Sequence, residues 1–271
     1  MIFRSILPAA LAVFFAGSVL HAAGSARLAQ AGVRSGSNGI VSDPSRDKIF
    51  PYLADGNGWT TNFVFTNLDT HSVVVHLEFS ADDGSFLTLP VTGIGSTQAA
   101  DITIVVGGSF SLTTAGTAQN RTSGYAFATA KNQTDLFAGY AVVRNVASGM
   151  ADLEFTVAPT PLNENSFTLS FDNTNGYATY AALINSSVDK DATIVVSIQD
   201  QNGNVLGTDQ ITVPPIGRYQ FNVSDRYPQL NNIVGNIVFS ASGKQYVGGT
   251  GLRYGPNQSL TVIPPFSLKL P

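Results

Sequence analysis

From Phe50 onward, apolar and polar residues alternate with a period of two in short runs bounded by Gly, Pro, Asn and Asp. Successive side chains of a strand point to opposite faces, so this pattern predicts half-buried antiparallel strands and almost no helix. Clear candidates in the first half are 61–66, 73–80, 102–106, 109–113, 124–129, 137–144 and 153–157. A second set lies at 178–184, 192–200, 209–213, 219–223, 233–241, 246–253 and 260–263. Asp82-Asp83-Gly84 and Gln201-Asn202-Gly203 supply residues that tolerate positive φ where hairpins close. One helical turn is expected at Ser224-Asp225-Arg226-Tyr227, stopped by Pro228.

The two sets line up as two copies of one unit. Gly58-Trp59 opens a run that closes at Asn67, as Gly176-Tyr177 opens one that closes at Asn185. Segment 73–84 then matches 192–203, Gly108-Ser109-Phe110 matches Gly217-Arg218-Tyr219, and Gly124-Tyr125 matches Gly235-Asn236. Last, Phe137 to Arg144 matches Tyr246 to Arg253, each ending in Arg. About seven strands in about 105 residues is the pattern of an immunoglobulin-like sandwich. The expectation is therefore an all-β chain with two tandem immunoglobulin-like antiparallel β-sandwich domains, 50–158 and 167–271. The linker is 159–166, with Pro159 and Pro161. An eight-stranded barrel for each unit is the runner-up.

The N-terminal region departs from this pattern. Residues 1–26 carry Arg4, then an apolar stretch from Ile6 to Leu20, then small residues up to Ala26. That order is a secretory signal peptide, and the stretch falls short of the roughly 20 residues needed to span a bilayer. No later segment is long and apolar enough to span, so no membrane span is expected after cleavage. Residues 27–49 are rich in Gly, Ser and Arg without periodicity, a flexible leader. The expected location is secreted, periplasmic or cell-surface.

Composition narrows the chemistry. The chain of 271 residues is 44% hydrophobic but only 12% charged, about half the usual charged share of roughly 25%, so Ser, Thr, Asn and Gln must cover most of the surface. Its 14 basic residues against 18 acidic ones provide no excess to neutralise phosphates, which excludes nucleic acid as a partner. With no Cys there is no disulfide, thiolate nucleophile or cysteine-based metal centre.

Phe50-Pro51-Tyr52-Leu53-Ala54-Asp55-Gly56-Asn57-Gly58-Trp59-Thr60-Thr61, followed by a strand ending in Asn67, resembles a motif of uncharacterised secreted bacterial proteins abundant in Acidobacteria. Their segment, Phe-Pro-x-Phe-Ala-Asp-Gly-Gly-Gly-Trp-x-Thr, opens an all-β unit that a second one follows. Asn202-Gly203, Val213-Pro214-Pro215-x-Gly217, Tyr227-Pro228, Gly251-Leu252-Arg253 and Pro264-Pro265 are similar to their second half. The likeness covers most of 50–268, with Leu53 where Phe is common and Asn57 where Gly is common. It implies export and paired sandwiches, and brings no activity with it.

The search for catalytic chemistry finds little. Outside the signal segment the histidines are His71 and His76, around one strand start, with no third metal ligand suggested. Neither Gly-x-Ser-x-Gly nor His-Glu-x-x-His occurs. Calcium could draw oxygens from two equivalent loops, through Asp55 and Asn57 in one and Asp172 and Asn175 in the other, although turn chemistry accounts for the same residues. Trp59 reads first as a core residue and second, with Tyr177, as an aromatic platform for a ligand. Arg144 and Arg253, at matched strand ends, are candidates to face a ligand or to bridge neighbouring acids.

These residues point to a non-catalytic interaction or adhesion protein whose ligand is a protein or glycan at the cell surface, acting through loops and sheet faces on rigid sandwiches. A carbohydrate-binding module is the first alternative, requiring an exposed aromatic patch. A glycoside-active hydrolase is the second, requiring two carboxylates facing across a cleft at about 5 to 9.5 Å.

Overall fold

The computed structural model describes residues 48–146, 152–160, 164–243, 245–257 and 259–268. The expected signal peptide and nearly all of the leader lie outside them, as does Pro161. Within them the chain is nearly all β.

The first sandwich comprises β1 (Lys48–Asp55), β2 (Trp59–Asn67), β3 (Val73–Ser80), β4 (Leu89–Val91), β5 (Gly95–Thr97), β6 (Ala99–Ile104), β7 (Ser109–Thr113), β8 (Thr122–Ala130), β9 (Phe137–Asn145) and β10 (Leu153–Val157). Its sheets run β1-β8-β3-β6 and β10-β9-β2-β7, with β4 and β5 as a separate hairpin. The second comprises β11 (Ser166–Asp172), β12 (Ala178–Asn185), β13 (Ala192–Asp200), β14 (Val205–Val213), β15 (Arg218–Asn222), helix α1 (Val223–Arg226), a 3-10 turn at Pro228–Leu230, β16 (Val234–Ala241), β17 (Val247–Tyr254), β18 (Leu260–Ile263) and β19 (Phe266–Ser267). Its sheets run β14-β13-β16-β11-β19 and β15-β12-β17-β18. Apart from the added hairpin and β19, the strand orders of the two halves are the same. The pairs β2–β7 and β3–β8 are those an immunoglobulin sandwich forms between its B and E and its C and F strands. The edges are exchanged, since β1 lies beside β8 and β9 beside β2.

The same hydrogen bonds recur at matched positions. The Thr61 hydroxyl donates to the Ala54 carbonyl at 2.8 Å, and the Thr179 hydroxyl to Asp172 at 3.2 Å, each seven residues upstream. The buried Asn67 amide donates to the carbonyls of His71, Ile104 and Val105 at 2.7, 3.0 and 3.1 Å. Asn185 does the same to Lys190, Val213 and Pro214 at 2.7, 3.0 and 3.0 Å. Each Asn thereby satisfies carbonyls where two strands end and a loop turns, groups too costly to bury unpaired.

In the last matched strand the register corrects the sequence reading. Asn67 pairs with Phe137, whereas Asn185 pairs with Val247, one residue beyond the expected Tyr246. A one-residue slip turns every side chain to the other face. Arg253 therefore holds the position of Val143, and Arg144 that of Tyr254; the two arginines are not equivalent.

Strands β1 and β11 are absent from the sequence candidates. All of β1 beyond Lys48 is buried, so no alternation marks it. Pro51 sits in the shift of register between Phe50 and Leu53, where a ladder tolerates a residue without an N–H.

The two cores meet. Tyr180 and Leu252, on the outer face of the β15-β12-β17-β18 sheet, pack into the cluster of Phe50, Phe63, Phe65 and Phe79. A second cluster joins Ile49, Tyr125 and Phe127 of the first sandwich to Ile184 and Ile216 of the second. At its margin the Arg218 side chain, 0% exposed, donates from Nε to Asp82 Oδ1 at 2.8 Å and from Nη1 to the carbonyls of Pro51, at 3.1 Å, and Gly124. Its guanidinium also lies over the Tyr52 ring, 5.4 Å from the centroid. The connecting segment is stitched to both halves. Thr160 N donates to the Ile49 carbonyl at 2.7 Å and the Thr160 hydroxyl to that of Gly249 at 3.0 Å.

Candidate functional site

The loops offered for calcium are occupied by their own bonds. Asp55 is buried and accepts from Gly116 N at 2.8 Å, and Asn57 N donates to the Ala118 carbonyl at 2.7 Å. Asp172 Oδ1 accepts from the Thr174 amide and hydroxyl at 3.0 and 2.7 Å, while Oδ2 takes Arg253. Burial alone would raise the Asp172 pKa, but these donors hold it below the ordinary value. Asn57 and Asn175 have φ of 50° and 52°, which marks both as left-handed turn residues.

Trp59, at 4% exposure, is a core side chain rather than a platform, and the Arg121 guanidinium stands 5.6 Å from its ring centroid. Tyr177 is half-buried, with Arg253 stacked 3.5 Å from its ring centroid. Arg253 is thus held between Tyr177 and Asp172, a structural bridge. Arg144 is exposed and pairs with Asp152 at 2.8 Å. Of the four residues offered for ligand contact, Tyr177 and Arg253 are brought together, and they are stacked on each other.

The structure assembles a different group at one end of the first sandwich. His71 Nδ1 lies 3.1 Å from Asp69 Oδ1, and Nε2 lies 3.0 Å from Asp135 Oδ1. The loop after β2 supplies the first two residues and the loop before β9 the third. Among the described residues this is the group of three that could hold a metal ion, its candidate ligand atoms within 4.8 Å of one another. A doubly protonated imidazole satisfies both contacts without an ion, since each ring nitrogen then donates to one carboxylate. His76 does not join them, and pairs instead with Asp101 at 2.8 Å. Sequence reasoning missed Asp135 because it stands 64 residues from His71.

The hydrogen bond to Asp135, then the charge of Asp69, favour the charged ring and raise the His71 pKa above its ordinary value of about 6.5. A folded-state pKa above the unfolded one adds stability that is complete below the unfolded value and lost as pH rises through the folded one. An NMR titration of the His71 ring is expected to give a pKa above that of an unpaired histidine, with Asp135→Asn returning it toward about 6.5. An unchanged midpoint in that variant would show that the Asp135 contact does not hold the proton.

Exposed apolar side chains stand on the loops that meet at this group. Leu68 N donates to the Leu136 carbonyl at 3.0 Å, and both side chains are exposed. Beside them, in the β6–β7 turn, Val105 and Val106 are 64% and 56% exposed. The second sandwich keeps the Asn185 bonds but has Ser187 in place of Asp69, so the fold does not need the His71 group.

Among the described residues the nine-residue β14 pairs only with β13, an edge of the kind that strand addition uses. Asp209 guards it. Its Oδ1 accepts from Gln210 N at 2.7 Å, and its Oδ2 accepts from Arg226 Nη2 at 2.7 Å and the Tyr227 hydroxyl at 2.9 Å.

No family model matches the chain, and no curated protein matches it in sequence. No helix among the described residues is long and apolar enough to cross a membrane.

Proposed function

We propose that the protein is exported and acts outside the cytoplasm as a non-catalytic interaction or adhesion protein, two sandwiches joined as one body and presenting a loop end. The exposed cluster of Leu68, Val105, Val106 and Leu136 carries this reading. Single exposed apolar residues need no account, but a group of them beside charged side chains marks a contact surface. The neighbouring face of the β10-β9-β2-β7 sheet adds to it with Asn62, Val64, Thr66, Ser109 and Ser111, all uncharged. The export reading rests on residues 1–26 and on the resemblance to secreted bacterial proteins.

One observation favours the saccharide alternative: Tyr140 is exposed in the middle of that sheet face, opposite Val64.

Chain 27–271 would be incubated with whole bacterial cells and, separately, with insoluble cellulose, chitin and xylan, beside a Val105→Asp/Val106→Asp variant and Tyr140→Ala. Retention on cells that the double variant loses and Tyr140→Ala keeps is the expected result. Retention on a polysaccharide that Tyr140→Ala loses would replace this reading with the saccharide one. Retention on neither support would overturn both.

A further inference from the structure

We propose that copies of this protein associate head to tail, the β6–β7 end of one seating on the outer face of the β14-β13-β16-β11-β19 sheet of the next. The contact repeats the one that joins the two sandwiches within each chain. This rests on the interaction reading above and names the partner as a second copy.

Within the chain, the β14–β15 turn of the second sandwich is the seated element. Ile216 is buried among Ile49, Tyr125 and Phe127, and its carbonyl accepts from the Tyr125 hydroxyl. Arg218 N donates to the Asp82 carbonyl at 2.8 Å. The turn closes so tightly on the β3–β4 loop that a Cβ on Gly84 would stand 2.5 Å from the Ile216 carbonyl oxygen. Ile216 has φ of 47°, which a β-branched residue adopts only where its surroundings hold it.

The first sandwich presents the same turn with no described residue seated on it. Gly108 N donates to the Val105 carbonyl at 2.9 Å, as Gly217 N does to Pro214 at 2.9 Å. Gly107 takes the left-handed place of Ile216, with φ of 65°. Val105 and Val106 stand where Pro214 and Pro215 stand, and both are exposed.

The receiving surface also has a counterpart, half-buried along its strands and open at its glycine turn. By strand order and register, Thr168, Asn236 and Val238 hold the positions of Ile49, Tyr125 and Phe127. Gly203 corresponds to Gly84 and has the same φ of 82°, yet no atom lies within 4 Å of where its Cβ would be. Charge fits as well. Arg218 and Asp82 are replaced by Ser109 and Gln201, so the repeated contact sets neutral against neutral and leaves no charge buried alone.

The two surfaces lie on different sandwiches, so the contact is heterologous. Repeating it does not close a two-fold dimer and instead builds a ring or chain of more than two copies, each touching only its neighbours.

Sedimentation velocity of chain 27–271 over rising concentration is the test, with Val106→Lys on the turn and Val238→Lys on the receiving face. Thr168→Lys substitutes for the latter if its circular dichroism shows misfolding. The wild type is expected to pass through dimer to larger species. Each variant alone is expected to stay monomeric where the wild type is assembled, a weakening of at least about tenfold, equivalent to about 1.4 kcal/mol. An equimolar mixture of the two is expected to stop at dimer, because only one intact pair of surfaces remains. A wild type that ends at dimer, or a Val106→Lys variant that assembles normally, would overturn the proposal. A monomeric wild type still retained on cells through Val105 and Val106 would overturn self-association and leave the interaction reading standing. Loss of both would remove both.

Discussion

Arg218→Ala is expected to destabilise the protein by about 3 to 5 kcal/mol, lowering the thermal midpoint by about 10 °C on the scale of a chain this long. The guanidinium is fully buried between the sandwiches, and its cost of desolvation is offset only because every partner is in place: Asp82, the carbonyls of Pro51 and Gly124, and the Tyr52 face. Removing it strands those acceptors and leaves the Asp82 carboxylate, only 21% exposed, without its counter-charge. Asp82→Ala is expected to be comparably severe, since it leaves a buried cation unpaired. The double variant should then cost less than the sum, the mark of a coupled pair. Arg218→Met, apolar and of similar length, is expected to be milder than Arg218→Ala. Calorimetry reads all of these. One transition in the wild type that splits in Arg218→Ala would identify the side chain as what makes the sandwiches unfold together. A change below about 1 kcal/mol, the range of an exposed ion pair, would contradict its burial.

The position of Arg218 was visible in the sequence, and its role was not. Gly217-Arg218-Tyr219 aligns with Gly108-Ser109-Phe110, but nothing in either triplet says that one turn is covered and the other open. The signal that could have marked it is the paired difference: Arg where the other half has Ser, and Asp82 where it has Gln201. The strands that alternate cleanly were legible for the reason that makes them strands. Phe63 and Phe65 face the core while Asn62 and Val64 face out. β1 was hidden because docking buries both its faces, and periodicity records only a difference between faces. The slip in the last strand is masked because Arg144 and Arg253 offer a matching residue one position away from the matching backbone. Of the candidate sites, the loops of Asp55 and Asp172 lie at the same place in the two halves, but Asp172 holds the position of Ala54, so the two acids stand one residue apart and each serves its own turn. The His71 group depends on two loops meeting, which spacing along the chain does not encode.

Gly84→Ala and Gly203→Ala separate the cost of a turn from the cost of an interface. Both glycines close the hairpin after the third strand of a sandwich with φ of 82°. Each donates its N–H across the turn, Gly84 to Ala81 at 3.0 Å and Gly203 to Asp200 at 3.1 Å. An alanine in this conformation costs about 1 to 2 kcal/mol through its own backbone, equally at the two sites. At Gly203 nothing else is expected, because the added methyl meets open space. At Gly84 it would stand 2.5 Å from the Ile216 carbonyl oxygen and 2.8 Å from that of Pro215, and backbone atoms cannot rotate aside. The seated turn must withdraw, taking Ile216 out of its cluster and breaking the Arg218 N to Asp82 bond. Lost burial of one isoleucine and one hydrogen bond place Gly84→Ala about 2 to 4 kcal/mol below Gly203→Ala. Urea unfolding of the two variants side by side measures that difference free of the shared turn strain. Equal midpoints would mean that the β14–β15 turn is not held against the first sandwich in solution, and the head-to-tail contact that repeats it between copies would lose its template.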